Sequence, residues 1–313
     1  MQTPPSIPQG FTPDAATARR VIGEALQRDG EWLTEAETRR VLEAYCIPVV
    51  RTSSAADVEA AVRAATELGF PVTLKIVSPQ IVHKSDVGGV VLNLANADEV
   101  RRAATAMAAR VCERMPQAQI TGYTVQEMIV RPGAHEVIVG AAVDAVFGPV
   151  ILFGQGGVAV EVVADRAVGL PPLNMTLAAD MVSHTRVSRL LNGYRDRPAA
   201  NRDALHLTLV QVSQLVADMP GIVEIDINPL LLDEQGVIAL DARIRIAKPD
   251  QASAGRLAIR PYPSELEERV TQMGREVLLR PIRPEDEPQH AQFLRHVDAE
   301  DLRRSEEHTS ELQ

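Results

Sequence analysis

The sequence has very few aromatic residues. Phe, Trp and Tyr together make up 3% of the chain. Aromatic side chains supply a large part of the buried surface in many proteins, so the core here must be built from Val, Leu, Ile and Ala. The apolar fraction of 45% and the charged fraction of 24% are ordinary for a globular protein. The shortage of aromatic residues therefore predicts an aliphatic core and does not argue against folding.

Cysteine and long apolar runs are also scarce. Cys46 and Cys112 are the two cysteines, which excludes a disulfide-stabilised scaffold, and their spacing fits no cysteine-based metal site. No window approaches the ~20 apolar residues that a membrane-spanning helix needs. The N-terminal segment lacks the basic start and apolar centre of a signal peptide. We therefore expect a protein of the reducing cytoplasm without membrane contact.

Positive charge is in deficit. The chain has 32 Lys and Arg against 42 Asp and Glu, a formal net charge of -10. This balance argues against a general surface for nucleic acids or anionic membranes. The net charge does not exclude a local basic pocket.

Composition along the chain indicates several regions. The length suggests about two compact units at roughly 150 residues each. Residues 1–13 hold four prolines and are predicted to be a flexible lead-in. Residues 14–247 alternate helical and strand patterns, with some strands in direct succession, which predicts a mixed α+β arrangement within the α/β class. Residues 248–274 have the composition of a linker, and residues 275–303 begin a strand, a turn and the first part of a helix.

Hydrophobic periodicity predicts the elements of the main region. Thr34 and Glu37 have capping-box spacing at the start of one helix. A second helix is predicted between Ser54 and Leu68, with Gly69 placed to end it. Two more helices are predicted around "VRRAATAMAARV" and "LHLTLVQVSQLV", and the predicted strands are "IPVVRT", "FPVTLKIVS", "GGVVLNL", "GYTVQEMIV", "HEVIVGAAV", "GPVILFG", "GQGGVAVEVV" and the hairpin "VEIDINPLLLDEQGVIALDARI".

A lysine lies at the centre of an apolar strand in "LKIVSPQIVHKSDVGGVVLNL". Lys75 is either a lysine that extends its ammonium group to solvent or lies on an edge strand, or a cation that holds a phosphate as a point charge. In the following loop, His83 is either a solvated histidine or, beside Lys84, an acceptor of a phosphoryl group, since neutral imidazole is nucleophilic near pH 7. Gly88 and Gly89 would let backbone N–H groups approach phosphate oxygens.

A second glycine loop, "FGQGGVAVE", contains Gly156 and Gly157. No Gly-Lys-Ser/Thr follows, so it is not a Walker loop, and it does not open a helix as a dinucleotide fingerprint would. A tight hairpin is the simpler interpretation, and alone this loop is weak evidence for a binding site.

The hairpin near residue 230 carries a polar face. Because side chains alternate along a strand, Glu224, Asp226 and Asn228 share one face and the two intervening isoleucines share the other. This leaves two alternatives, a solvated polar face on a half-buried hairpin or a set of ligands.

The turn "DEQG" predicts the register of this hairpin. If Asp233 pairs with Gly236, Asn228 lies opposite Asp241 to within about one residue. Carboxylate and amide oxygens then converge, as Mg²⁺ prefers. Asp241 lies between apolar neighbours in "ALDARI", where an unpaired carboxylate would be costly to bury, and this favours a metal site.

Together these motifs resemble the ATP-grasp subunit of the NDP-forming acyl-CoA synthetases, which are relatives of succinyl-CoA synthetase. The resemblance spans roughly Leu33 to Ile246 and is carried by Lys75, "SPQIVHKSDVGGV", "QEMIV", "HEVIVGAAVD", "FGPVILFGQGG" and "EIDINPLLL…LDARI". It implies an ATP-grasp fold of two subdomains with a boundary near residues 120–130. It also implies the reaction of ATP, acetate and CoA to ADP, phosphate and acetyl-CoA, through an acyl phosphate and a phosphohistidine.

The resemblance also implies roles for individual residues. Lys75 would contact the nucleotide phosphates, the strand with Glu127 would form the adenine hinge, and Glu136 would help to hold the nucleotide. The cofactors expected are ATP and Mg²⁺, with CoA bound by domains that would lie elsewhere on the same or a sister chain. The predicted site residues are catalytic His83; nucleotide-binding Lys75, Lys84, Gly88, Gly89, Gln126, Glu127, Glu136, Gly156 and Gly157; and the metal ligands Asp226, Asn228 and Asp241.

The C-terminal region carries a second resemblance. "RLAIRPYPSELEERV" followed by "LLRPIRPEDEPQHAQFLRHVDAEDL" resembles the junction in bifunctional proteins that append a GNAT acetyltransferase domain, as Pat-type protein lysine acetyltransferases do. The pattern ends before an acetyl-CoA pyrophosphate loop, so we expect a truncated GNAT start without acetyl transfer. Residues 304–313 resemble the translation of a sequencing-adapter oligonucleotide, which predicts a non-native tail.

Two classes of function remain after this reasoning. The first is an active phosphoryl-transfer module of an acyl-CoA synthetase, and the second is a non-catalytic nucleotide- or acyl-CoA-sensing domain of a GNAT lysine acetyltransferase. A carboxylase-type ATP-grasp protein is disfavoured by the histidine loop. Cys46 and Ala145 stand where the family pattern has Gly and Pro. The acyl substrate, the choice of ATP or GTP, and homo-oligomerisation are left open.

Overall fold

The computed structural model describes residues 10–28, 31–81, 84–157, 165–193, 198–248, 257–259, 263, 266–272, 274–282 and 286–295. They belong to two compact units, a larger one over Gly10–Ala258 and a smaller one with the described residues from Ile259 onward.

The larger unit contains helices and strands in mixed order. Its helices are α1 (Ala15–Leu26), α2 (Glu35–Ala44), α3 (Val58–Leu68), α4 (Ala97–Arg114), α5 (Met175–Ser183) and α6 (Arg202–Asp218), with 3₁₀ turns at Lys84–Val87 and Val187–Asn192. Its strands are β1 (Thr52–Ala55), β2 (Val72–Val77), β3 (Val90–Leu94), β4 (Gly122–Glu127), β5 (His135–Asp144), β6 (Gly148–Gln155), β7 (Arg166–Gly169), β8 (Ile222–Asp233), β9 (Gly236–Ala239) and β10 (Ala242–Ile246).

The first sheet forms what we call the small half, residues 52–127. Its strand order is β1-β4-β2-β3, with antiparallel pairing at each step. Leu74, Ile76 and Val125 project from one face and are fully buried in a core cluster. Val100 and Met107 of α4 belong to the same cluster. One face of this sheet therefore packs in the hydrophobic core, and the side chains of the opposite face can contact other groups.

The second sheet and the helices that cover it form the large half. The strand order is β10-β8-β5-β6-β7, with β9 paired to β8, and all pairings are antiparallel. Its core cluster joins Phe153 and Ile227 of the sheet with Leu42 of α2 and Leu209 of α6. Aliphatic side chains dominate both clusters, as the scarcity of aromatic residues predicted.

Several predicted elements are confirmed. The capping box forms at α2, where Thr34 accepts from the Glu37 N–H and the Glu37 carboxylate accepts from the Thr34 N–H. Helix α3 ends at Gly69, which has a positive φ of 91°. The mixed α+β arrangement is also confirmed, because helices and antiparallel strands alternate irregularly along the chain.

Other predicted elements differ. The strand predicted at "IPVVRT" begins only at Thr52, and Val49 makes an isolated bridge to Ala239 instead. Helices α1 and α5 were not predicted, although Asp14 caps α1 through the Thr17 N–H. The buried positions of α1 include two alanines, which give a weak apolar signal. The strand predicted beyond Gly157 falls on residues 158–164, outside the described residues.

The smaller unit contains a hairpin and a helix. Strand β11 (Glu268–Gln272) pairs with β12 (Arg275–Leu279), and α7 (Glu287–Leu294) follows. Residues 268–272 lie in the segment interpreted as a linker and form a strand. Among the described residues of the whole chain, no helix has the length and apolarity to cross a membrane.

Cys46 ends α2 in a left-handed conformation with a φ of 59°. The Cys46 N–H donates to the Glu43 carbonyl, and the Ile47 N–H donates to the Leu42 carbonyl, which is the pattern of a Schellman motif. Glycine is the usual residue at this position because it has no Cβ. The resemblance described above also led us to expect glycine at this position, and the left-handed backbone gives a physical reason for that expectation.

We predict that Cys46→Gly is more stable than Cys46→Ala by about 1 kcal/mol, because alanine keeps the steric cost of the left-handed conformation. Both variants remove the thiol, so its loss cancels in the comparison. Urea unfolding of the two variants measures the difference. Equal stabilities would show that the Cβ at this position costs nothing.

Candidate functional site

The small half presents a polar face opposite its apolar core. In the register, Lys75 pairs with Thr124, and Thr73 pairs with Gln126. All four side chains are polar, yet their exposed fractions are only 2–8%. A sheet face that is both polar and buried needs partners for its polar groups, so these partners define the site.

Lys75 finds its partners in the large half. Strand β2 lies between β4 and β3, so the interpretation of Lys75 as an edge-strand lysine is wrong. The Nζ atom lies 3.9 Å from a carboxylate oxygen of Glu35 and 3.9 Å from one of Asp241. The Lys75 side chain is 11% exposed. A nearly buried ammonium group thus lies between two carboxylates.

Glu35 was missed by the sequence reasoning. It is the first residue of α2, and its carboxylate accepts from Lys84 Nζ at 3.2 Å and from Thr124 Oγ1 at 3.2 Å. An acidic residue in the first turn of a helix is common because it favours the helix dipole. Because such residues are common, Glu35 has no distinct signal in the sequence.

The loop after β2 is held by its glycines and by α4. Gly88 has a φ of +70°, and a Cβ on Gly89 would lie 2.6 Å from Ile76 Cγ2. The Gly89 N–H donates to the Lys84 carbonyl at 2.7 Å. Arg110 donates to the Gly88 carbonyl at 3.1 Å. The conformation and close packing of this loop therefore explain both glycines without reference to a bound phosphate. The predicted catalytic residue, His83, lies outside the described residues.

The second glycine loop contacts strand β8 of the hairpin formed by β8 and β9. The Gly156 N–H donates to the Glu136 carbonyl at 2.9 Å. The Gly157 N–H donates to Asn228 Oδ1 at 3.1 Å. A Cβ on Gly157 would overlap the Glu136 carboxylate. These contacts bring three predicted site residues, Glu136, Gly157 and Asn228, to one place.

The hairpin has the predicted register. Asp233 pairs with Gly236. The Asn228 N–H donates to the Asp241 carbonyl at 3.1 Å, so these residues lie opposite one another as predicted. The intervening isoleucines of β8 are buried in the large core, while Asp226 and Asn228 are half-buried on the other face.

The electrostatics of this face favour a cation. Burial raises the pKa of Asp226, and the charges of Asp241 and Glu224 raise it further, while Arg243 lowers it. The donors available to a metal are the Asp226 and Asp241 carboxylates and the Asn228 amide oxygen. Among the described residues, no group of three His, Cys, Asp or Glu side chains could hold a metal ion. A site with few protein ligands fits Mg²⁺, which keeps several waters and binds substrate phosphates.

The two predicted hinge residues differ in their surroundings. Gln126 is 6% exposed, and its Oε1 atom has no hydrogen-bond partner among the described residues. Glu127 pairs with Arg51, whose Nε lies 2.8 Å from the carboxylate. The side chain of Gln126 therefore offers a buried acceptor, whereas that of Glu127 is engaged elsewhere.

The sequence matches the ATP-grasp domain family over residues 24–246. It is 38% identical over 229 residues to the acetate–CoA ligase [ADP-forming] I subunit beta of Pyrococcus furiosus, a match that covers 73% of this chain and 97% of that subunit. It is 40% identical over 227 residues to the acetate–CoA ligase [ADP-forming] I of Archaeoglobus fulgidus, which covers 72% of this chain and 33% of that protein. The chain thus spans about a third of such single-chain relatives.

The solved structures that resemble this chain include those of an acetyl-coenzyme A synthetase. The dinucleotide-forming acetyl-coenzyme A synthetase 1 of Ca. Korarchaeum cryptofilum, in complex with coenzyme A, Ca-AMPCP and HgCl+, is similar with a TM-score of 0.70 and 37% identity, covering 74% of this chain and all of that one. Another structure of that synthetase holds coenzyme A and Mg-AMPPCP, with its phosphohistidine segment pointing towards the nucleotide binding site. It matches with a TM-score of 0.64 and 34% identity, covering 74% and 100% of the two chains.

We predict that Asp226→Asn stabilises the metal-free protein near neutral pH. A carboxyl group whose pKa is raised on folding stabilises the fold below its unfolded pKa of about 3.9, and this contribution is lost as the pH rises through the raised value. The difference in melting temperature between variant and wild type should therefore grow with pH above about 4. A difference that is constant with pH would contradict a raised pKa of Asp226.

Proposed function

Since the chain belongs to the ATP-grasp family and is the beta-subunit-like ATP-grasp module of the ADP-forming acetate–CoA ligase type, we propose that it binds Mg·ATP between its two halves. In this proposal the polar face of the small half and the hairpin of the large half bind the nucleotide together. The chain would then transfer the γ-phosphoryl group within an acyl-CoA synthetase.

The observation that carries the proposal is the distance of 3.9 Å between Lys75 Nζ and the Asp241 carboxylate. Nucleotide phosphates need a cation as a partner, and a bound metal needs an anion. The two requirements meet where Lys75 of one half faces Asp241 of the other. Lys84, with its side chain 28% exposed, lies near enough to share Glu35 with Lys75 and supplies a second positive charge.

The metal part of the proposal assigns Asn228 and Asp241 as ligands, with Asp226 as the neighbouring acidic residue. When bound, Mg²⁺ would neutralise charge that develops on the phosphate oxygens. Asn228 is held in place by its bond from the Gly157 N–H. The raised pKa of Asp226 supports this assignment, because a cation would favour the charged form of that carboxyl group.

The base would bind near Gln126, whose buried Oε1 lacks a partner among the described residues. An exocyclic amino group of a purine could donate to it, and this would remove the cost of a buried, unpaired acceptor. The backbone around Glu127 would complete the hinge. Glu136, beside Gly157, would contact the ribose or phosphate end of the nucleotide.

Turnover would require domains that lie outside this match. A relative that the match covers over 97% of its length is the subunit beta of an acetate–CoA ligase, and a related structure contains coenzyme A and a phosphohistidine segment. We therefore propose CoA-binding ligase domains, on the same or another chain, as partners. His83 would accept the phosphoryl group from ATP, a role that rests on the family resemblance.

A finer proposal concerns the C-terminal region. Strand β12 followed by α7 agrees with the strand and helix expected at the start of a GNAT domain. Such a fusion would favour the second candidate, a regulatory domain that binds nucleotide without turnover. Nucleotide binding is common to both candidates, so it is the first property to test.

We predict that Mg·ATP at about 100 times its dissociation constant stabilises the protein by roughly 2.7 kcal/mol. Asp241→Ala should abolish the stabilisation by Mg·ATP, because the metal loses a carboxylate ligand. Thermal unfolding with ATP, with Mg²⁺ and with both measures the effect.

Asp180→Asn is the control for this test, since Asp180 is 63% exposed on α5 and, within the described part of the chain, forms an ion pair with His184 alone, at 3.9 Å. It should respond to Mg·ATP as the wild type does. A wild-type melting temperature that is indifferent to Mg·ATP would overturn the proposed nucleotide site.

We predict that His83→Asn removes an acid-labile, base-stable phosphoryl group that the wild-type protein acquires from γ-labelled ATP. Imidazole is the nucleophile in this proposal, and asparagine cannot replace it. Autoradiography after acid and alkaline treatment measures the label. Labelling that persists in His83→Asn would assign the phosphoryl group to another residue, and binding of ATP without any labelling would favour the regulatory candidate.

A further inference from the structure

The carboxylate of Glu35 connects three cationic or hydroxyl groups that the nucleotide site would need. It lies 3.2 Å from Lys84 Nζ, 3.9 Å from Lys75 Nζ and 3.2 Å from Thr124 Oγ1. The Glu35 carboxylate thus has two ammonium groups and a hydroxyl group as neighbours. A phosphate group bound at this place would have the same neighbours. Glu35 itself is half-buried, with 26% of its side chain exposed.

These contacts join the two halves of the larger unit. Helix α2 packs in the large core through Val41 and Leu42. Lys75, Lys84 and Thr124 belong to the small half. Glu35 is therefore the point at which the large half binds the cations of the small half.

The charges around Lys75 are balanced. Two ammonium groups, Lys75 and Lys84, face two carboxylates, Glu35 and Asp241. A nucleotide phosphate that approaches Lys75 and Lys84 would meet Glu35 at the same donors, and two anions cannot share them without repulsion. A metal ion would meanwhile attract Asp241 away from Lys75. Binding of Mg·ATP would thus exchange both carboxylate partners of the lysines.

We propose that Glu35 is a positioning residue that occupies the phosphate position in the nucleotide-free protein, holds Lys75 and Lys84 ready, and is displaced when nucleotide binds. This inference rests on the proposed function, since it concerns the same site. Its consequence is thermodynamic. An interaction that exists only in the free state stabilises that state and lowers the affinity for the ligand by the same free energy.

The inference gives Glu35→Gln two effects of opposite direction. The isosteric amide keeps the shape and a hydrogen-bond acceptor but loses the negative charge. The nucleotide-free variant should melt at a lower temperature than the wild type, because the lysines lose a counter-charge. The same variant should bind Mg·ATP about tenfold more tightly, a change of about 1.4 kcal/mol. A residue with a merely structural role would lower stability without raising affinity.

The test is calorimetric titration of Mg·ATP into four proteins, together with their melts without nucleotide. Wild type, Glu35→Gln and Glu35→Asp vary the group itself, and Glu43→Gln is the matched control. Glu43 lies on the same helix, is 51% exposed and, among the residues that the structure describes, forms an ion pair with Arg39 alone, at 3.7 Å. Its substitution by Gln therefore changes the net charge equally without touching the site. Glu35→Asp keeps the charge on a shorter side chain and should bind with an affinity between those of wild type and Glu35→Gln.

Tighter binding by Glu35→Gln, with Glu43→Gln within about twofold of the wild type, is the expected result. Binding by Glu35→Gln that is equal to or weaker than that of a wild type that does bind overturns the inference alone. If Glu43→Gln gains affinity as Glu35→Gln does, net charge is the cause, and the inference is also overturned. Failure of all four proteins to bind Mg·ATP counts against the proposed function, and the inference falls with it.

Discussion

The nearly buried ammonium group of Lys75 is the constraint on which the rest of the site depends. A charge in that position is unfavourable unless it has partners, and the one acidic residue on the strands that flank β2, Glu127 at the end of β4, pairs with Arg51 instead. The partners come from the large half, as Glu35 at the start of α2 and Asp241 immediately before β10. The two halves therefore meet around a charge, and a ligand that supplies its own negative charge can take over that contact.

The hairpin and the second glycine loop fix the positions of the residues that are proposed as oxygen ligands. The β8–β9 turn fixes the register through the pairing of Asp233 with Gly236, and this brings Asn228 opposite Asp241. The Gly157 N–H then donates to the Asn228 amide oxygen and holds it in place. Residue 157 must be glycine for this approach, because a side chain there would overlap Glu136. The glycine is thus required by close approach, and its N–H fixes the position of the amide oxygen.

The extent of the match to known proteins explains what this chain can do alone. It covers nearly all of a beta subunit but a third of a single-chain ligase. A module of this size contains the residues proposed to hold nucleotide and metal. The thioester chemistry would belong to other domains, so retention of the site is an argument for nucleotide binding before it is one for complete turnover.

Local chemistry let the sequence determine much of this protein. The capping box at Thr34, the end of α3 at Gly69 and the hairpin register depend on neighbouring residues, so their patterns could be read directly. The alternation along β8 likewise placed Asp226 and Asn228 opposite the buried isoleucines. The family resemblance added the assignment of Lys75 and Asp241 to one site.

Contacts between residues that are far apart in the sequence could be read only from the tertiary structure. Glu35 lies 40 positions before Lys75 in the sequence and has an ordinary first-turn pattern, so no local signal distinguishes it. Its role appears only when α2 packs on the large core and turns its first residue toward the small half. The unpaired acceptor of Gln126 and the pairing of Glu127 with Arg51 follow in the same way from the assembled sheet. Register and caps are local properties, whereas the partners of a buried charge are set by which surfaces the fold brings together.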